Sequence, residues 1–204
     1  MTPLTTALKE WAVAVEALTQ GESILLLRKG GIREQGGQFS VAAQQVLLYP
    51  TYEHQKPHLL KPTYAQQVQT VAPGWHPETV SLAAWATITH IFKLHLGEAR
   101  DLALLTQTLH PFHIWNDTFV TERLRWKPGQ PLYFLLLRVY QLPAPIQLSW
   151  SAQYGGCRSW LTLEQTVNLE NSVPVLPQAA YQQQVNQIRL CIETLRAKAV
   201  GAVL

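Results

Sequence analysis

Residues 24–54 hold the pattern that decides the fold: ILLLRKGG at 24–31, IREQGGQF at 32–39 and VLLYPTYEH at 46–54. Two apolar runs, typical of strands, flank a loop that carries four glycines and four charged residues. Loops mounted on rigid strands commonly carry function. The segment therefore predicts two strands joined by a loop that is the first place to look for a binding site.

The composition and length of the chain limit the kinds of protein that it can be. The chain has 204 residues, of which 47% are hydrophobic and 14% charged, whereas a globular chain usually has about a quarter of charged residues. The net charge of +3 permits an acidic partner but does not require one. The length predicts one domain, which we place at residues 1–175, with a C-terminal helical extension over residues 176–204.

The sequence also indicates a compartment. Two cysteines, Cys157 and Cys191, are too few for a disulfide framework in a chain of this size. The N-terminus lacks the pattern of a signal peptide, and no apolar run reaches the roughly 18 residues that a membrane-spanning helix needs. We therefore expect a cytoplasmic protein without a membrane segment.

Hydrophobic periodicity predicts the elements. Apolar residues recur at spacings of three and four over residues 3–20, which favours a first helix. We further predict strands at 22–28, 46–49, 80–96 and 132–141, a helical turn near 64–68, and helices at 98–109, 117–125 and 177–199. The prediction is an α+β domain with a mixed, mostly antiparallel sheet that can close partly into a barrel. The C-terminal helix either packs back on the domain or pairs with a partner, such as a second copy of the chain.

The first candidate site is the basic glycine loop. Glycines let backbone N–H groups approach a phosphate closely, and neighbouring cations attract it. The spacing matches neither a P-loop nor a dinucleotide-binding fingerprint. The other interpretation is a hairpin turn between the two strands, with its charges in solvent. The residues concerned are Arg28, Lys29, Gly30, Gly31 and Arg33.

The second candidate pairs a carboxylate with an imidazole. Glu34 and His54 could act as acid and base, and Glu53 and Gln55 flank the histidine. If the two strands pair, Glu34 lies near Lys29, which gives Lys29, Glu34 and His54 as catalytic candidates. The other interpretation is that His54 orders its loop by hydrogen bonding.

Two further patterns are weaker. Seven histidines are present, but none has the spacing of a metal site, so we predict no metal and no cofactor. The segment YGGCRSW at 154–160 places Cys157 beside Arg158, which can lower the pKa of a thiol. A nucleophile also needs a base, which the spacing does not supply, and a structural turn is the other interpretation.

Several strings resemble a bacterial family of uncharacterised proteins, known as a domain of unknown function and associated mainly with photosynthetic bacteria. They are ALKEWAVAVEAL, LLLRKGGIRE, LYPTYEHQ, LLKP, LLLRVYQL and YGGCRSW. The resemblance spans residues 7–163 and leaves the tail outside. It implies no activity, and it singles out as a motif Lys29, Gly30, Gly31, Glu34, Tyr49, Thr51, His54 and Gln55.

A second, more distant resemblance is to small RNA-binding barrels of the PUA-like type. A helix, a glycine turn, a strand ending in cations and a further strand look like the opening of such barrels, and the strand at 132–141 could close one. The resemblance implies binding of RNA or modified bases in a cleft near the first helix. The long middle segment and the low net charge depart from the pattern.

These observations predict a non-catalytic binding module for nucleic acid or a nucleotide-like anion. Its cations would contact phosphate, and Tyr49, Tyr52 and His54 would contact a base. The alternatives are a phosphodiesterase-like hydrolase, with Lys29 stabilising charge, and an assembly or scaffold protein that uses the C-terminal helix. The full predicted ligand set is Arg28, Lys29, Gly30, Gly31, Arg33, Tyr49, Thr51, Tyr52, His54 and Gln55.

Overall fold

A computed structural model of the chain describes residues 3–29, 41–94, 105–126 and 129–200, with side chains to residue 197. The strands are β1 (Leu4–Trp11), β2 (Leu25–Arg28), β3 (Gln45–Thr51), β4 (Thr79–Leu94), β5 (Leu132–Ser149), β6 (Trp160–Val167) and β7 (Val173–Pro174). The helices are α1 (Ala12–Thr19), α2 (Pro62–Ala65), α3 (Asp117–Arg125) and α4 (Gln178–Val200), and residues 105–109 are also helical. The predicted α+β class is confirmed.

One sheet contains all of these strands, in the order β2-β5-β4-β3-β1-β6, with β7 paired to β5. Every pair of neighbours is antiparallel except β1 and β3, which run parallel with Trp11 opposite Thr51. On its other side β1 meets the first residue of β6, since Leu8 lies opposite Trp160. The carboxyl ends of β1 and β3 and the amino end of β6 therefore share one edge of the sheet.

The sheet is strongly curled. In strand order β2 lies four spacings from β1, which would be roughly 19 Å in a flat sheet. Yet the guanidinium of Arg28 on β2 lies 3.2 Å from the carboxylate of Glu10 on β1 and donates to the Lys9 carbonyl at 3.0 Å. This Arg28 bridge joins β2 to β1 by a side chain, so the open strand path is bent into a partly closed barrel.

Buried side chains form two clusters, because both faces of the central strands are covered. Leu8 and Leu48 belong to the larger cluster, which also contains the buried residues of α1 and α4. Their neighbours Ala7 and Leu47 belong to the smaller cluster, together with residues of β6. Strands covered on both faces are apolar throughout and lose the alternation that identifies a half-buried strand.

The prediction of one helix over residues 3–20 is wrong in its first half, where the chain forms β1. Hydrogen bonding to β3 on one side and β6 on the other satisfies its backbone, and the same apolar residues fit a strand buried on both faces. The helix begins at Ala12 and ends near Gly21. Its start is stabilised from outside, because the Val13 amide donates to the Gln55 side-chain oxygen at 3.1 Å.

Some of the other secondary-structure predictions are confirmed and others are wrong. The strand predicted at 80–96 is confirmed as β4 up to Leu94, its last two residues lying outside the described ranges, and the helices at 117–125 and 177–199 are confirmed as α3 and α4. The hairpin interpretation is wrong, because β2 pairs with β5 and β3 pairs with β1 and β4. The strand predicted to end at 141 continues to Ser149 as β5, and β6 was not predicted. The first part of the helix predicted at 98–109 lies outside the described residues.

The apolar face of α4 packs against the rest of the chain. Five of its side chains are buried in the larger cluster: Tyr181, Val185, Ile188, Ile192 and Leu195. The stripe that could have paired with a partner is therefore covered within the chain. The domain division at residue 175 stays a prediction. Within the described ranges, no helix has the length and apolar character needed to cross a membrane.

The Arg28 bridge yields a stability prediction. The side chains of Arg28 and Glu10 are only 14% and 8% exposed, so Arg28→Met or Glu10→Gln alone leaves a largely buried group without its partner. We expect each single variant to lower the free energy of unfolding by about 3 kcal/mol and the double variant to recover part of the loss. Urea denaturation in a double-mutant cycle measures the coupling.

The matched control is the pair Arg189 and Glu193 on α4, whose side chains are more than half exposed. Its coupling should stay below about 0.5 kcal/mol. A coupling of that small size for Arg28 and Glu10 would contradict the account of the curled sheet.

A buried histidine gives the fold a pH dependence. Burial lowers the pKa of His113 to about 3, and the charges of Lys61 and His110 act in the same direction. The folded pKa lies below the unfolded value of about 6.5, so this contribution to stability is present above pH 6.5. It is lost as the pH falls from about 6.5 toward 3, at up to about 1.4 kcal/mol per pH unit.

Urea unfolding of the wild type and His113→Gln between about pH 7.5 and pH 4.5 measures this contribution. As the pH falls, we expect the free energy of unfolding to decrease more steeply for the wild type than for His113→Gln. The control variant His58→Gln, at an exposed position, should show the same slope as the wild type. Parallel curves for the wild type and His113→Gln would refute the assignment.

Candidate anion-binding site

A cavity of about 270 Å³ lies at the shared edge of β1, β3 and β6, next to the end of β2. It joins three segments that the sequence had singled out separately: the cationic end of β2, the turn after β3, and residues 156–159 of YGGCRSW. Their convergence follows from the parallel pairing of β1 with β3 and from the curl of the sheet. Strand pairing thus assembles one lining from residues far apart in sequence.

Positive charge dominates this cavity. Two carboxylates, those of Glu10 and Glu53, line it among the described residues. The cationic side chains that line it number five: Lys9, Arg28, Lys29, Arg123 and Arg158. We call this space the cationic cavity. Glu10 is paired with Arg28, and among the described residues the cations of the lining outnumber its carboxylates.

Lys9 extends from β1 into the wall of the cavity and is 8% exposed. Its ammonium donates to the carbonyls of Tyr154 at 2.7 Å and Gly156 at 3.1 Å. Burial lowers the pKa of Lys9, and the negative charge of Glu53 opposes that shift. The lysine thereby anchors the segment before β6 to β1 through neutral acceptors.

Lys29 follows β2 and is 5% exposed. Its ammonium donates to the carbonyl of Leu124 at 2.9 Å, in the last turn of α3, where a cation is favoured by the helix dipole and by the carbonyls left without a helical partner. Burial lowers the pKa of Lys29, and the charge of Arg123 lowers it further. The contact fixes α3 beside the end of β2.

Arg123 brings a third cation to the same place from α3. Its guanidinium lies 4.9 Å from the centre of the Phe119 ring, over its face. Burial lowers the pKa of Arg123, the charge of Glu10 opposes the shift, and that of Arg28 adds to it. Crowded cations of this kind gain most from an anion placed among them.

The end of β3 supplies Thr51, and the turn after it supplies Glu53 and His54. His54 is exposed and has φ +62°, a left-handed conformation that is uncommon for residues with a side chain and is often found at functional sites. The Glu53 carboxylate accepts from the Gly74 amide at 3.1 Å. The segment 154–160 supplies Gly156, Cys157, Arg158 and Ser159 on the opposite wall.

Three predicted ligand residues lie elsewhere. Tyr49 is 2% exposed and packs against Tyr154 in the smaller cluster, with ring centres 5.9 Å apart. Burial raises its pKa beyond its usual range. Tyr52 meets Trp75 edge to face at 5.9 Å, and Gln55 holds the start of α1. The structure therefore does not bring Tyr49, Tyr52 and Gln55 into the lining of the cationic cavity, and their part in binding stays a prediction.

Four further predictions, Gly30, Gly31, Arg33 and Glu34, fall outside the described residues. Of the catalytic candidates, Lys29 and His54 therefore line one cavity, and the place of Glu34 stays a prediction. The described residues contain no group of three or more His, Cys, Asp or Glu side chains that could hold a metal ion.

Sequence reasoning missed Lys9, Glu10, Trp11, Arg123 and Trp126. The first three lie in the segment read as a helix, where a charged pair among apolar residues suggests the solvent face. In a strand covered on both sides, the same pair has to find buried partners, as the Arg28 bridge and the Lys9 contacts provide. Arg123 and Trp126 reach the cavity only through the packing of α3, which no local pattern indicates.

Comparison with known proteins adds family membership and a distant fold likeness. No curated protein matches the chain. The ASCH protein of Zymomonas mobilis has a TM-score of 0.44 at 12% identity, over 88% of this chain and 92% of that one. A mutant of the same protein has a TM-score of 0.45 at 12% sequence identity, over 80% of this chain and 92% of that one. ASCH domains have a PUA-like fold. A likeness at a TM-score below 0.5 says nothing about the cavity or its lining residues.

A family model described as a domain of unknown function (DUF1802) matches residues 7–187. The match confirms the first resemblance and corrects its extent, because it continues past residue 163 into α4. Since it covers most of the 204 residues, this chain belongs to the DUF1802 family.

Proposed function

We propose that this protein is a non-catalytic module that binds nucleic acid through its phosphate backbone, with the cationic cavity as the phosphate site. The observation that carries the proposal is the way the cations are held. Lys9 and Lys29 bond to neutral backbone carbonyls, and among the described residues Arg28 is the lining cation that is ion-paired to a lining carboxylate. The positions are thus fixed while the positive charge stays available to an anion.

The cations of the lining have different roles in binding a phosphate. Arg158 is exposed, so it is the cation that an incoming phosphate meets first. Lys9 and Lys29 lie deeper and supply charge that has already lost most of its water, which strengthens attraction to an anion. Arg28 serves as a positioning residue, since its guanidinium is taken up by Glu10 and the Lys9 carbonyl.

The glycine loop fits this role by position. Gly30 and Gly31 follow Lys29 directly in the chain, and Lys29 lines the cavity. We propose that these amides and the Arg33 side chain add contacts to the same phosphate or to the next one along the strand. Backbone amides and arginine are common phosphate contacts, and they position the ligand without reading its sequence.

The hydrolase alternative has one observation in its favour, which is that His54 lines the same cavity as Lys29. An imidazole near a bound phosphodiester could move a proton while the lysine stabilises charge. Incubating the protein with labelled single-stranded RNA and examining the RNA on a denaturing gel separates the two functions. Cleavage that disappears in His54→Gln would favour the hydrolase, and intact RNA supports the binding module.

The central test is the salt dependence of binding to a labelled 12-nucleotide RNA of mixed sequence, measured by fluorescence anisotropy. We expect the affinity to fall steeply with salt, with a slope of about −0.7 per phosphate neutralised. Arg158→Gln should weaken binding about tenfold at low salt, because one charge-assisted contact is lost. The same variant should reduce the magnitude of the salt slope by about 0.7.

Arg189→Gln is the matched control, since Arg189 is exposed on α4 and does not line the cavity. It should bind as the wild type does. Absence of binding at about 50 mM salt, where electrostatic binding is strong, would refute the proposal. Equal effects of Arg158→Gln and Arg189→Gln would remove the cavity as the binding site.

A further inference from the structure

A second cavity, of about 460 Å³, adjoins the cationic cavity. Trp11, Arg123 and Trp126 line both spaces and form the wall between them. The second space also contacts Leu59 and Phe119, while Glu122 stands at its rim. We call it the aromatic cavity. The cationic cavity and the aromatic cavity therefore lie side by side and share three lining residues.

The aromatic rings of this region are braced from behind. Trp115 stacks on Phe119 with ring centres 4.0 Å apart and an angle of 10°. Trp11 meets Trp115 edge to face at 5.2 Å. Trp115 and Phe119 are each 2% exposed, so the cluster is part of the core and holds Trp11 in place. The half-buried Trp11 and Trp126 are the rings that can still offer surface to a ligand.

Arg123 links the two cavities chemically. With its guanidinium over the Phe119 ring, it can donate to a phosphate on one side and present its plane to a base on the other. Arginine planes and aromatic rings are the surfaces on which bases stack in proteins that bind single strands.

We propose, on the basis of the proposed function, that the aromatic cavity receives a base of the strand whose phosphate occupies the cationic cavity, so that the ligand is single-stranded. In a duplex both faces of a base are covered by its neighbours, and a recessed pocket can receive it only after it leaves the stack. A free strand has its bases available. The rim carries both a carboxylate and cations, from Glu122, Lys56 and Arg125, which suit the mixed donors and acceptors of a base edge.

The test compares three forms of one 12-nucleotide RNA by anisotropy: the single strand, the same strand with abasic sites, and its blunt duplex. Stacking contributes about 5- to 150-fold per base, so the wild type should bind the single strand at least fivefold more tightly than the abasic strand, and more tightly than the duplex. Trp126→Ala should abolish the preference for the single strand over the abasic strand, measured as the ratio of the two dissociation constants. Trp126→Phe should retain much of the preference.

Trp75→Ala is the control, since Trp75 is 38% exposed and lines neither cavity. Circular dichroism and urea unfolding establish that each variant is folded. If the wild type binds the single, abasic and duplex forms equally, with Arg158→Gln still weakening all three, the base subsite is refuted and the proposed function stands. If no form binds, the proposed function fails first. A loss in Trp126→Ala that is equal for all three forms would also refute the subsite.

Discussion

The contact of Arg28 with β1 is the constraint on which both the fold and the site depend. It joins strands that stand four places apart in the sheet, so the sheet has to curl and the cations that follow β2 come to lie beside those of β1. A largely buried ion pair contributes modestly to stability compared with apolar packing, and its clearer value is that it specifies one arrangement over others. Here the arrangement specified is the one that encloses the cationic cavity.

The cavity explains how a chain of low net charge can attract a polyanion. Among the described residues, five lysines and arginines converge on one space, so the local field is far stronger than the net charge of +3 suggests. Helix α3 contributes twice, through the Leu124 carbonyl that fixes Lys29 and through Arg123 on its inner face. The same helix carries Phe119, which links the anion site to the aromatic cluster.

The sequence patterns predicted the features that depend on residues close together in the chain. The cations at the end of β2 and the apolar stripe of α4 are each written in a few neighbouring residues. The patterns failed where a segment is stabilised by residues far away in the sequence. The segment of β1 looked helical because the strands that pair with it, β3 and β6, come about 40 and about 150 residues later in the chain. Tyr49 looked like a ligand residue because a short motif cannot show that both faces of β3 are covered.

The most direct test of the cationic cavity as the binding site is a ¹H–¹⁵N NMR titration of the protein with a short single-stranded oligonucleotide at low salt. The account predicts that the indole signals of Trp11 and Trp126 and the amide signals of Gly156 and Ser159 shift together and saturate at one ligand per chain. The indole of Trp75 and the amide of Leu190 should stay in place. Shifts confined to α4 or to the surface around Trp75, with the cavity signals unmoved, would contradict it.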